Sequence, residues 1–368
     1  MKIFFGFILL LHAIIHLIGF VQAFKIAEIK QLSQNISKPL GILWLLTALI
    51  LLYSVIIFFL KKESWFLTAL VAIAISQILI FLFWKDAKFG TIANIIVLLV
   101  AISTNGNYQF NNLIQKESAQ VLQNIQVNNL PVISVNDISH LPKIVQKWMM
   151  ISGVIGKEKV VSVHLKQIGK MRTNLDSKWM NFTATQHFNL ENPAFIWTTK
   201  VDALPIINII GRDKLNNGEG EILIKLAGLI PVVNEGKNNK INQGAMVRFL
   251  AEICWFPSAA INNYISWKTI DSTLAKATLT INDKTVSGVF SFTIEGELVA
   301  FEADRYYGGK TNSKLEKWFI KMNCYKEFNG IKIPNKSNVI WKLKEGDFNW
   351  LDLEIIDLRY NLKTAFQK

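Results

Sequence analysis

Two pairs of residues at helical spacing carry the clearest chemistry in this sequence. Arg248 and Glu252 stand four apart in the run 242–254, where Met246, Phe249, Leu250 and Ile253 repeat with a helical period. Their side chains therefore share one helix face and can pair along it. His12 and His16 also stand four apart, inside an almost wholly apolar stretch. Imidazoles at that spacing can share a metal ion, and a polar group within a bilayer is a functional candidate by default. His12, His16 and Gln77, with Ser76 beside it, thus define a polar membrane site for a metal, a quinone or a proton. The competing reading is hydrogen bonding between helices or contact with head groups. A metal would need ligands that this part of the chain lacks, since it holds no further histidine and no cysteine. Neither a bound metal nor another cofactor is expected.

The arginines form a second constellation. Lysine outnumbers arginine 35 to 5, so lysine is the default cation, and each arginine marks a place where a planar, bidentate donor is useful. All five, Arg172, Arg212, Arg248, Arg305 and Arg359, lie in the second part of the chain. The first four belong to strands or to the 242–254 helix, elements that would line one concavity. With Glu252, and with Trp255 placed to stack on Arg248, they make up the expected ligand-binding set. They would hold a phosphate or carboxylate head group, or else lock helix to sheet through ion pairs. Eight of the 11 tryptophans share that region, enough to line a wide interior.

Signatures of enzymes are missing: no G-x-S-x-G elbow, Walker loop, HExxH or G-x-G-x-x-G occurs, and no catalytic residue is assigned. His140, His164 and His187 are scattered. Cys254 and Cys324 have no metal-type spacing and read as two buried free thiols. The formal charge of +13 is carried by lysine, without an arginine-rich or aromatic–basic pattern. It points to anionic membrane lipids as partners and away from nucleic acid.

The elements that must position these residues fall into two kinds. Residues 3–23, 40–60, 65–84 and 90–104 are apolar enough to cross a bilayer as four helices. Trp44, Trp65 and Trp84 fit anchors at the membrane interface. The first stretch lacks a signal-cleavage site. Five loop lysines (Lys25, Lys30, Lys38, Lys85, Lys88) oppose three (Lys2, Lys61, Lys62), which places the first and third loops in the cytoplasm and the C-terminal domain outside. Residues 106–135 read as an amphipathic linker ended near Pro131. From 136 a short helix carrying Ile144, Val145, Trp148 and Met149 precedes a change to period two at Val161. About ten strands follow, among them 181–188, 206–210, 221–226, 274–281, 286–294, 298–307, 318–328, 339–343 and 350–358, mostly separated by Gly, Asn or Asp turns. A sheet of that width must curl or close, and the 242–254 helix is best buried against its concave side.

The expected fold is therefore an α+β membrane protein: a four-helix transmembrane domain (1–105), a linker (106–135) and a large antiparallel half-barrel with an interrupting helix (136–368). The series Leu141-Pro142, Trp148, Ser152-Gly153, Gln167-x-Gly169-x-x-Arg172, Arg212-Asp213, Gly218-x-Gly220, Arg248-Phe-Leu-Ala-Glu252, Trp255-Phe-Pro257, Gly330 and Ile333-Pro334 resembles an uncharacterised bacterial family known as a domain of unknown function. The resemblance spans Leu141 to Asn361 and implies a half-barrel similar to the LolA-like carriers that hold acyl chains. By span count and the run Trp84-Lys-Asp-Ala-Lys-Phe-Gly-Thr-Ile-Ala-Asn-Ile, the helical part resembles DoxX-like membrane proteins. Together these imply a multi-pass protein of the bacterial cytoplasmic membrane, with an extracytoplasmic module for a lipid or other amphiphile. The alternatives are an enzyme centred on His12 and His16, and a structural partner of another envelope protein.

Overall fold

The computed structural model describes residues 2–27, 29, 32–203 and 208–363. They form two compact units, one of residues 1–111 with 227–229, the other of residues 112–226 with 230–368.

The first unit contains α1 (Lys2–Ala23), α2 (Lys38–Phe59), α3 (Trp65–Leu82), a single turn α4 (Trp84–Ala87) and most of α5 (Gly90–Val121). α1, α2, α3 and α5 are long and apolar enough to cross a membrane. Large apolar side chains such as Ile3, Phe7, Leu49 and Leu99 point outward, while Ala13, Ala48, Ala69, Ala72 and Ala101 fill the interior. Small interior residues let apolar helices approach closely in the absence of a hydrophobic drive between them. Gly19 shows the principle: a Cβ there would lie 2.5 Å from the Trp44 ring. Trp44 fills that notch and is 6% exposed, and Trp65 packs edge-on against Phe5 and Phe58 at 5% exposure. These two tryptophans are core residues of the bundle rather than the expected interfacial anchors; Trp84 is exposed. α5 is also longer than the apolar run that starts it. Its 32 residues span about 48 Å, because no proline interrupts the Asn- and Gln-rich continuation.

In the second unit, α6 (Lys143–Ile151) buries Ile144, Val145, Trp148 and Met149, the face that periodicity marks. The strands β1 (Ser162–Met171), β2 (Met180–Asn189), β3 (Ala194–Val201), β4 (Ile209–Asn216), β5 (Glu219–Leu226) and β6 (Ile230–Gly236) run from the middle of the sheet to one edge. Helix α7 (Asn239–Glu252) and two 3-10 turns follow. The chain then restarts at the opposite edge. β7 (Ile265–Thr269), β8 (Leu274–Ile281), β9 (Lys284–Phe292), β10 (Leu298–Tyr306), β11 (Leu315–Phe328), β12 (Ile331–Leu343) and β13 (Gly346–Tyr360) return to pair with β1. The result is one 13-stranded antiparallel sheet that curls without closing. α7 packs against β4, β5 and β6 of one wing and β8, β9 and β10 of the other, so both wings wrap it. The expected half-barrel with a helix in its mouth is what this chain path builds.

Two edge strands, β6 and β7, were not legible as strands: Pro231 interrupts one and the other has five residues. Of the strand expected at 206–210, residues 206 and 207 lie outside the described residues, and 209 and 210 enter β4. Cys254 is buried and Cys324 exposed, both as free thiols, which corrects the expectation that both are buried.

Packing also brings together two histidines that are 23 residues apart. His164 and His187 face each other across β1 and β2, with their Nδ1 atoms 2.8 Å apart. Burial, and then the charge of His164, push the His187 pKa down to about 3. Burial lowers His164 as well, against the bond of its Nε2 to the Leu362 carbonyl. The unfolded chain therefore binds protons that the folded one refuses. Stability is full above the ordinary histidine pKa of about 6.5 and falls as pH drops from there toward about 3, by about 1.4 kcal/mol per pH unit for His187, with His164 acting in the same direction. Thermal unfolding of the full chain at pH 7 and pH 5 should show this loss, and His187→Asn should flatten it; equal pH dependence in the variant would contradict the assignment.

Candidate functional site

The site grows from one cross-strand row. Strand register sets Gln186 of β2 beside Trp197 of β3, and Trp197 beside Asp213 of β4. Their side chains face α7. Arg248 lies over this row, with its guanidinium 4.8 Å from the Trp197 ring centre and 5.1 Å from that of Phe195. Arg248 NH1 donates to Asp213 Oδ2 (2.7 Å) and Nε donates to Glu252 Oε1 (2.8 Å). The other oxygen of Glu252 accepts from Gln186 Nε2 (2.8 Å), and Trp197 Nε1 donates to Gln167 Oε1 of β1 (2.7 Å). Burial opposes the Arg248 charge, but Glu252 and Asp213 outweigh it and hold its pKa above the ordinary value. Burial pushes Glu252 upward despite Arg248 and Gln186.

α7 is fixed to the other wing through backbone. Gln243 Nε2 donates to the Asp304 carbonyl (2.7 Å), and its Oε1 accepts from Tyr306 N (3.3 Å). Arg305 Nε donates to the Gly244 carbonyl (3.1 Å). A Cβ on Gly244 would lie 3.3 Å from that nitrogen, so glycine lets the guanidinium reach the helix backbone. Arg305 stacks on Trp318 (4.5 Å) and Trp341 (5.7 Å). Among the described residues, no carboxylate lies within ion-pair distance of it. Burial, and then the Arg248 charge, bring its pKa down to about 10, so it stays protonated at neutral pH in surroundings that disfavour its charge.

Both arginines open onto a cavity of about 660 Å³ between α7, β4–β6 and the 307–314 loop. Phe195, Ile222, Ile224, Val233, Ile241 and Ala245 supply an apolar wall. Lys240 holds the loop at the mouth, its Nζ donating to the carbonyls of Lys310 (3.3 Å), Thr311 (2.6 Å) and Ser313 (2.8 Å). Lysines and carboxylates also line the cavity, but Arg305, stacked on two indoles with no carboxylate on it among the described residues, stands beside the apolar wall; in a volume typical of ligand pockets, that suits a molecule with an anionic head and a greasy body.

The remaining expected site residues sit elsewhere. Arg212 points to the opposite face of β4, where it pairs with Glu117 (2.9 Å) and Glu221 (3.2 Å); Lys214 bridges the same two carboxylates. That buried cluster seats the last turns of α5, residues 112–121, on the sheet. Arg172 donates to the carbonyls of Asn349 (2.8 Å) and Leu175 (2.7 Å) and stacks on Trp179. Trp255 is buried in the core, and the rings on Arg248 are instead those of Phe195 and Trp197. Gln186 and Trp197 were not singled out from sequence, and Asp213 only as part of the Arg212-Asp213 motif. Their signal is strand register, which a single chain without known pairing does not display.

In the helical unit, His12 Nε2 lies 2.8 Å from Asn94 Oδ1, His16 Nε2 2.9 Å from Ser76 Oγ, and His16 Nδ1 2.8 Å from the His12 carbonyl. Asn94 also donates to Gln77, which donates to Thr91. The polar groups thus satisfy one another between helices, the arrangement that membranes require. Among the described residues, no group of three or more His, Cys, Asp or Glu is placed to hold a metal.

A family model described as "Family of unknown function (DUF6544)" matches residues 131–353. Among solved structures, a LolA superfamily protein from Nitrosomonas europaea is similar, with 12% identity and a TM-score of 0.33 over 59% of this chain and 91% of that one. No curated protein matches.

The lock predicts a specific cost. Arg248→Lys keeps the charge, but one ammonium cannot stack on two rings while bridging Asp213 and Glu252. Breaking a buried, hydrogen-bonded pair costs about 3–5 kcal/mol, and denaturation of the full chain followed by tryptophan fluorescence should show a loss of that order. A loss below about 1 kcal/mol, the worth of an exposed pair, would contradict the lock.

Proposed function

For a chain that belongs to this family of unknown function, we propose that the β-rich unit is a membrane-anchored module that binds an anionic amphiphile in the cavity beside α7. The four apolar helices supply the anchor. The bias of loop lysines supports an extracytoplasmic side for the module. The observation that carries the reading is Arg305: a stacked guanidinium that lines the cavity, has one carbonyl partner, and lies in surroundings that disfavour its charge. A carboxylate or phosphate entering the cavity would supply the missing counter-charge through a bidentate pair, while the apolar wall takes the tail. Arg248 is already satisfied by Asp213 and Glu252, so its part is to shape the site.

Native mass spectrometry of the full chain released from detergent should show an adduct with the mass of an anionic lipid, near one per chain. A hydrogen bond to a charged group is worth about 1.5–3 kcal/mol. Arg305→Gln should therefore weaken binding of the anionic lipid roughly ten- to a hundredfold and leave zwitterionic adducts unchanged. Equal retention of the anionic lipid by the variant would sink the proposal.

A further inference from the structure

The β5–β6 hairpin carries an apolar tip on which Ile230 and Val232 stay exposed among the described residues. From Ile222 to Val233 the sequence reads Ile-Leu-Ile-Lys-Leu-Ala-Gly-Leu-Ile-Pro-Val-Val, with Lys225 as its one charge. Ile230 is 60% exposed and Val232 55%, and Leu229 at the turn is exposed too. Such a stretch on an edge strand invites pairing with another chain unless it is blunted or covered. Pro231 removes one strand donor, so further strand pairing is discouraged while the apolar surface remains.

The turn at the tip has its contacts within the helical unit. Ala227–Leu229 belongs to that unit. Ser103 Oγ of α5 donates to the Ala227 carbonyl (3.0 Å), and a Cβ on Gly106 would lie 2.6 Å from the Gly228 oxygen. Ser103 is the residue at which the apolar run of α5 gives way to Ser-Thr-Asn. In a membrane-crossing helix that change marks the level of the head groups. The turn of the hairpin is therefore held at that level.

We infer that the β5–β6 tip is a second membrane contact, with Leu229, Ile230 and Val232 inserted among the lipid head groups and upper acyl chains. Lys225 can keep its ammonium at the anionic surface while its stem lies along the apolar strand. The inference does not depend on what the cavity binds. It does give the hairpin two roles, because Ile222, Ile224 and Val233 also line the cavity.

The test uses the full chain with Cys324→Ser, the buried Cys254 left in place, and one cysteine introduced as Ile230→Cys or Val232→Cys. Ile294→Cys, at an exposed turn of the other wing, serves as control. Each is labelled with an environment-sensitive fluorophore and reconstituted in vesicles of phosphatidylcholine and phosphatidylglycerol. Labels at 230 and 232 should emit to the blue of the control. A nitroxide on the upper acyl chain should quench them roughly twofold or more beyond the control, as expected for residues about 5–10 Å into the interface, and aqueous iodide should not reach them. Iodide quenching equal to that of the control would overturn the inference. So would labels that neither quencher reaches, since protein would then be the cover.

Discussion

Arg248 is the point on which both the fold and the cavity turn. The chain leaves the sheet at one edge, β6, and re-enters at the other, β7. Whatever joins those edges must cross the sheet, and it does so as a helix on the concave face. Apolar contacts of Met246, Phe249 and Leu250 bury that helix, but apolar contact alone sets neither its rotation nor its height. The guanidinium does. It reaches Asp213 on β4 and Glu252 on its own helix and is sandwiched against Phe195 and Trp197. Buried charges are weak evidence of net stability, because desolvation offsets much of the attraction. Their effect here is geometric: only one placement of α7 satisfies every partner.

That placement divides the charges unevenly. Both nearby carboxylates are bound by Arg248, so Arg305 meets the helix through a carbonyl and two indole faces. Helix, β5–β6 hairpin and the loop tied by Lys240 then border a space with an apolar wall, onto which Arg305 opens without a carboxylate partner among the described residues. The helical unit follows a different rule. Between its apolar helices, His12, His16, Ser76, Gln77 and Asn94 bond to one another across helices, so the histidine pair has its partners within the bundle.

Much of this was legible in the amino-acid sequence, for reasons that differ by residue. The four apolar helices and the antiparallel sheet follow from hydrophobic period. The helix in the mouth follows from one apolar stripe among many strands. The scarcity of arginine flagged side chains that use the planar fork: Arg172 holds two carbonyls, Arg212 two carboxylates, and Arg248 two carboxylates and two rings. The expected grouping of four arginines in one concavity is met only by Arg248 and Arg305; Arg172 and Arg212 lie elsewhere. Arg212 and Asp213 are adjacent, so they point to opposite faces of β4, and which faces inward depends on a register that a single sequence does not display. Trp44 and Trp65 misled for a related reason. Tryptophan near a helix end suits the interface, yet Gly19 and the Phe5 and Phe58 rings give these two a place inside.

In the proposed function, the anionic amphiphile occupies the cavity between α7 and the β5–β6 hairpin, with its head at Arg305. Photocrosslinking of the full chain in vesicles with a diazirine-bearing, carboxylate-headed lipid tests it most directly, because peptide mapping reports where the tail lies. Crosslinks should concentrate on Ile222, Ile224, Val233, Ile241 and Ala245, and unlabelled lipid of the same head group should compete them away. Crosslinks confined to the outward faces of α1, α2, α3 and α5, with none in the cavity, would contradict it.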